Sequence, residues 1–158
     1  LFPYTTLFRS ERAQHTARLV LQGRELPLQV KPELNEMFFG DWEMRHHQDL
    51  AREDAENYAA WCNDWQNAVP TNGEGFQAFA QRVEQAISIL ADYQHHDHVL
   101  IVSHQGVLSL LIARLLAMPA AAMWHFRVEQ GCWSAIDFTG DFATLRVLNS
   151  RAIWAPGE

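Results

Sequence analysis

His104 follows the apolar run Val99-Leu100-Ile101-Val102 and Ser103, and is followed by Gln105-Gly106 and a second apolar stretch. A short, unbroken, mostly β-branched run predicts a strand buried on both faces, hence a parallel sheet covered by helices. The stretch from Val107 is long enough to form a helix. His104 then stands at a strand-to-helix turn, at the carboxyl end of a parallel strand. Open α/β sheets bind their ligands there, and the N-terminus of the following helix favours an anion. A His that only caps the helix fits the same spacing.

Three other groups carry chemical potential. Arg12 opens the predicted first helix, and an arginine there can hold a phosphate through two parallel hydrogen bonds. An exposed helix arginine is the plainer reading. Glu36 lies in a stretch with Phe38, Phe39 and Trp42. Aromatic surroundings favour the protonated form of a carboxyl, which suits a general acid. A carboxylate that anchors the loop by accepting backbone N–H groups fits equally well, and Asp41 and Glu43 compete for either role. His95, His96 and His98 invite a metal reading, but adjacent side chains in an extended segment point apart and no Cys or paired carboxylate completes a ligand set. His46-His47 reads the same way, so no metal site is expected.

These groups need elements to bring them together. Ala13, Ala17, Val20 and Leu21 predict a helix over Glu11–Gln22, stopped by Gly23. Leu26–Val30 is a short strand candidate. Residues 33–43 fit neither period and read as a structured loop. Arg45–Gln66 is helical in composition with a break near Glu53, and Trp61 and Trp65 pair at i, i+4. The run Val69-Pro70-Thr71-Asn72-Gly73-Glu74-Gly75 is a turn cluster. Phe76, Phe79, Val83, Ala86, Ile87 and Leu90 then form one helical stripe. Pro119 opens a short helix, and Cys132–Phe138 with Phe142–Leu148 reads as a hairpin. The order is βα units followed by a terminal hairpin.

The chain has 158 residues, 48% of them hydrophobic and 20% charged, which describes a globular domain. A net charge of −7 argues against a nucleic-acid or membrane-surface partner. Cys62 and Cys132 have no metal spacing and read as reduced core thiols of a cytoplasmic protein. No apolar run reaches membrane-spanning length.

The first ten residues, Leu1 to Ser10, read as something other than native sequence. The codons CTC TTT CCC TAC ACG ACG CTC TTC CGA TCT encode them, and that DNA resembles a common short-read sequencing adapter. We therefore expect residues 1–10 to be a non-native segment and 11–158 to be the domain.

Three pieces occur in order: Arg12-Ala13-x-x-Thr16-Ala17, Leu34-x-Glu36-x-x-x-Gly40-x-Trp42-Glu43, and Val102-Ser103-His104-x-Gly106. Together they resemble the histidine phosphatase, or phosphoglycerate-mutase-like, superfamily over Glu11 to about Ala152. The runs 34–45 and 123–128 are similar in finer wording to one phosphatase group within it. The resemblance implies a three-layer α/β/α fold on a mostly parallel sheet. It implies a phosphohistidine mechanism in which a nucleophilic His attacks phosphorus, a glutamic acid protonates the leaving oxygen, and water cleaves the phosphoenzyme. Matched residue by residue, Arg12 is the phosphate-binding arginine, Glu36 the proton donor and acceptor, and His104 the second histidine of the phosphate pocket. The partner implied is a small phosphate ester, with no metal and no cofactor.

Two departures stand out. The family's nucleophile lies in an Arg-His-Gly-Glu motif after its first strand, and no Arg-His-Gly occurs in this chain. The domain is thus expected to lack its N-terminal strands and its nucleophile here. Met44 stands where many relatives have Gly, a difference expected to affect specificity at most. A broad phosphatase or sugar-phosphate mutase of the same family, and a non-catalytic phospho-ligand binding protein, are the competing readings.

Overall fold

Phe76, Phe79, Val83 and Ala86 recur every three or four residues, and all four are buried along one face of helix α4 (Phe76–Leu90). That face meets α5 (Gln105–Leu115), whose Val107, Leu110, Leu111 and Ala113 are buried with it. Phe79 and Val83 are almost wholly removed from water, and each contributes about 1.5–3 kcal/mol on that account. An Arg114–Glu84 ion pair ties the two helices at their edge. The structure, a computed structural model, describes residues 4–21, 24, 28–93 and 96–152, with 4–10 described by backbone alone.

Helix α1 (Tyr4–Val20) precedes this core. The expected start at Glu11 is corrected: helical backbone continues through residues 4–10, so Arg12 lies within the helix and does not open it. The expected stop, Gly23, lies outside the described residues. The structured loop after it forms as predicted, with short 3-10 turns at Pro32–Leu34 and Gly40–Trp42. The predicted break near Glu53 also forms, between α2 (His47–Glu53) and α3 (Ala55–Asn63).

The break has a local cause. Asp54 leaves helical conformation, and its carboxylate accepts hydrogen bonds from Trp42 Nε1 at 2.7 Å, Thr71 Oγ1 at 2.5 Å and Asn57 Nδ2 at 2.7 Å. Those donors, Thr71 first and Trp42 next, hold the Asp54 carboxyl below the usual carboxylate range by favouring its charged form. Trp65 lies beyond the end of α3, so the expected i, i+4 pairing with Trp61 is replaced. Trp61 meets Phe39 and Trp42 edge-on, while Trp65 meets Phe76 and Trp124.

The hairpin forms as antiparallel strands β1 (Trp133–Thr139) and β2 (Phe142–Ser150), joined by Gly140-Asp141. Pro119 stands just before a 3-10 helix at Ala120–His125, one position earlier than expected.

Other expectations are corrected in whole or in part. Residues 99–102 join no ladder, and Val99 and Leu100 are 47% and 57% exposed. A strand is held by a neighbour's hydrogen bonds and has no stability without one. For the same reason the parallel sheet of the expected α/β/α fold is not formed among the described residues, whose sheet is two-stranded and antiparallel, while the helices and the terminal hairpin of that order are formed. The strand candidate Leu26–Val30 falls partly outside the described residues, and its positions 28–30 join no ladder and are exposed. Cys62 is exposed and Cys132 half-buried, so neither is a core thiol; both are free. No helix among the described residues is long and apolar enough to cross a membrane.

Candidate active site

Glu36 and the start of α5 are joined directly. Glu36 Oε2 accepts a hydrogen bond from the Gly106 N–H at 3.0 Å, and Oε1 accepts one from Met37 N–H at 3.0 Å. The first N–H groups of a helix have no partner within it, so a carboxylate is a natural acceptor there. The anchoring role considered for Glu36 is therefore real. It coexists with an exposed chemical face, because Glu36 also lines a cavity of about 440 Å³.

The approach needs a glycine. A Cβ at position 106 would stand 2.5 Å from Glu36 Oε1, inside any permitted contact. This is the physical reason for Gly two residues after His104. Gly40 has the same kind of reason: its φ is +57°, and a Cβ there would collide with the backbone of Thr71 and Asn72. Asp41 N–H donates to Thr71 O at 2.9 Å across that contact. The Glu36–Gly40 loop is thus locked onto the 70–75 turn.

Arg82 is the support that sequence reasoning missed. Its guanidinium donates to the carbonyls of Glu33 and Asn35 at 2.9 and 2.7 Å and to both carboxylate oxygens of Glu74 at 3.0 and 2.8 Å. Glu74 in turn accepts from Phe38 N–H at 3.2 Å. One fork-shaped side chain therefore fixes the residues on both sides of Glu36. The available signal was an arginine set inside the apolar stripe, between Phe79 and Val83. Ser103 adds a second tie, donating to Leu34 O at 2.6 Å.

His104 is the residue preceding α5, in extended conformation, and its side chain makes no capping hydrogen bond to the helix. The capping explanation of this His is thereby removed. Its main chain sets up the turn that presents Gly106 to Glu36. Arg12 stands elsewhere, exposed on α1, and neither Arg12 nor His104 lines this cavity. Glu43, the competitor, accepts from Phe39 N–H at 2.8 Å inside the loop and is also absent from the lining. His46 caps α2, its Nδ1 accepting from Gln48 N–H at 3.3 Å. His95 lies outside the described residues.

Met44 stands within the limit expected of it. It is fully exposed, away from the cavity, with φ +59°. The Gly-to-Met difference is thus one of backbone conformation, since a left-handed residue without glycine carries strain, and it does not shape the pocket.

Half of the residues lining the cavity are aromatic, with Trp61, Trp65, Phe76, Phe79 and Trp124 among them. Its polar edge holds Glu36, Gln105, Ser109 and Arg127. Such a space offers flat apolar faces beside a carboxyl and a guanidinium.

Comparison with known proteins agrees with this geometry. The family model of the histidine phosphatase superfamily (branch 1) matches residues 9–151. The chain is 77% identical over 143 residues to the adenosylcobalamin/α-ribazole phosphatase of Escherichia coli strain K12, covering 90% of this chain and 70% of that protein. It is 74% identical over 146 residues to the protein of the same name from Salmonella typhimurium strain LT2, covering 92% and 72%. The crystal structure of the α-ribazole phosphatase from Shigella flexneri superposes with a TM-score of 0.88 at 76% identity, covering 92% of this chain and 72% of that one. A motif order legible in the sequence, a carboxylate seated on the helix after His104, and a family model spanning most of the chain lead to one assignment: the chain belongs to the histidine phosphatase superfamily, branch 1.

Proposed function

We propose that this chain is a phosphomonoester hydrolase acting on α-ribazole 5′-phosphate and adenosylcobalamin 5′-phosphate in assembly of the cobalamin nucleotide loop. The identity of 77% to a phosphatase of that name supports the substrate. The observation that carries the chemistry is Glu36 at an aromatic cavity, held 3.0 Å from the Gly106 N–H.

In this reading Glu36 is the proton donor and acceptor, and the motif match gives the phosphoryl oxygens to His104, the residue before α5, and to Arg12, which here stands outside the cavity that Glu36 lines. A nucleophilic His attacks phosphorus in line, and the P–O bond to the nucleoside breaks. The Glu36 proton passes to the departing oxygen. Water then attacks the phosphohistidine, Glu36 takes its proton, and phosphate leaves. Phosphate monoesters need up to ~10²¹-fold acceleration. Positive charge and hydrogen-bond donors placed around the phosphoryl group supply the electrostatic part of it.

The 158 residues contain no Arg-His-Gly, so the reading places the nucleophile upstream of Glu11, with residues 1–10 adapter-derived and 11–158 the domain. It also places the protein in the cytoplasm, with a small phosphate ester as its partner. Sequencing the genomic DNA upstream of Glu11 checks the first point, where an Arg-His-Gly codon run is expected and a natural start codon at that position contradicts it. Turnover by the chain extended with that sequence checks the second. α-Ribazole 5′-phosphate is expected to be the preferred ester in a panel, and preference for 3-phosphoglycerate would overturn the assignment.

A further inference from the structure

Most of the rings around the cavity beside Glu36 also serve the core: Phe76 and Phe79 are buried in it, and Phe39, Trp61, Trp65 and Phe126 pack against it. Trp124, in contrast, is 66% exposed while its ring still meets Trp65 edge-on at 5.5 Å and 89°. Trp65 in turn meets Phe76 at 4.5 Å and 74°. Three rings thus run from the interior to the rim, each presenting an edge to the next, with Glu36 opening into the same space. A large aromatic side chain left in water at a cavity mouth, ordered by its neighbour, is a surface suited to another ring.

Which part of a substrate belongs there follows from Glu36. The group that protonates the leaving oxygen faces the leaving group, and Glu36 and Arg127 share the polar edge of the cavity, so the phosphoryl and the oxygen it leaves belong at that edge. The aromatic wall therefore meets the portion of the ester that departs. The geometry points to a leaving-group subsite in which Trp124, backed by Trp65, stacks against a flat bicyclic heteroaromatic base. The inference rests on the phosphatase reading above and adds the residue that selects the nucleoside over a bare sugar. In an α-ribazole ester that base is a benzimidazole attached to the ribose. Uncharged ring faces suit it, and about 440 Å³ accommodates it with the ribose.

The test uses α-ribazole itself, which has the base and ribose but no phosphate, and ribose 5-phosphate, which has the phosphate and no base. Both are titrated calorimetrically into the upstream-extended chain and into its Trp124→Ala and Trp124→Phe variants. Loss of one stacking side chain weakens binding of a base by about 5-fold or more. Trp124→Ala is expected to weaken α-ribazole by at least that factor and ribose 5-phosphate far less, with Trp124→Phe restoring most of the loss. Because Trp124 is largely exposed, the fold is expected to survive the change. Quenching of wild-type tryptophan fluorescence by α-ribazole, and not by ribose 5-phosphate, gives a readout that needs no variant. Absence of both quenching and heat with α-ribazole overturns the subsite, as does equal weakening of the two probes. If the upstream-extended chain hydrolyses α-ribazole 5′-phosphate while Trp124→Ala binds α-ribazole normally, the subsite alone fails. If that extended chain prefers 3-phosphoglycerate while Trp124 still governs α-ribazole binding, the substrate assignment alone fails.

Discussion

Replacing Glu36 by Gln keeps the acceptor oxygen that meets Gly106 N–H and removes the proton that the chemistry needs. In the upstream-extended enzyme, Glu36→Gln is expected to lower kcat by about 10²–10⁴-fold, the usual worth of a positioned acid. Glu43→Gln should cost far less, because Glu43 serves Phe39 N–H within the loop; equal losses would remove Glu36 from its role. Gly106→Ala tests the same placement without touching the carboxyl. Its Cβ would press on Glu36 Oε1, and a displacement near an ångström costs about 10²-fold in rate. Wild-type kcat in Gly106→Ala would show that the close approach is irrelevant. Met44→Gly goes the other way. It relieves a left-handed backbone worth roughly 1–2 kcal/mol, partly offset by the freer unfolded chain. A raised melting temperature with unchanged kcat/KM is expected, and a changed substrate preference would put Met44 back into the pocket. At this scale the sequence was informative about identity, in that Glu36, His104 and Gly106 stood out by type and spacing. It said nothing of Arg82, whose significance lies in three carbonyl partners 46–49 positions away in sequence and in the Glu74 carboxylate eight positions before it.

The elements that hold Glu36 depend on a few polar ties more than on packing. Arg82→Ala would leave the Glu33 and Asn35 carbonyls and the Glu74 carboxylate without their donor, a loss of about 2–3 kcal/mol. Arg82→Lys should recover little, because one ammonium cannot reproduce a planar fork. Urea denaturation of both variants checks this, and a fully stable Arg82→Lys would contradict it. Asp54 joins α2, α3 and the 70–75 turn, and its carboxyl is held below the ordinary range by Thr71 and Trp42. A depressed folded value stabilises the fold above the unfolded value of about 3.9, and that contribution disappears as pH falls through the folded value. The melting temperature is therefore expected to drop below pH ~4, and Asp54→Asn should flatten that drop. An identical acid profile in the variant would assign the loss to other groups. Helical periodicity predicted α4 and the α2–α3 break because both follow from local pattern and local hydrogen bonding. Alternation and a Gly-containing turn likewise predicted the hairpin. The Val99–Val102 strand was misjudged for the opposite reason: a run of β-branched residues states a preference, and only a neighbouring strand can satisfy it.

Over the whole molecule, residues 99–102 join no ladder, and Val99 and Leu100 stand exposed while Ile101 packs against the core. A ladder there would supply partners for the backbone groups of 99–102, each worth about 1–3 kcal/mol if buried and unmet. Against a total stability of about 5–15 kcal/mol for a domain, a few such groups decide whether the fold holds. The chain Glu11–Glu158 alone is accordingly expected to be poorly soluble and without phosphatase activity. The measurement that bears most directly on the account is acid quenching of the upstream-extended enzyme during turnover of α-ribazole 5′-[³²P]phosphate. The account predicts protein-bound label that is lost in acid and kept in alkali, the behaviour of phosphohistidine, and label that accumulates when Glu36→Gln slows its hydrolysis. Turnover with no protein-bound label, or label stable to acid, would contradict a phosphohistidine route through this site.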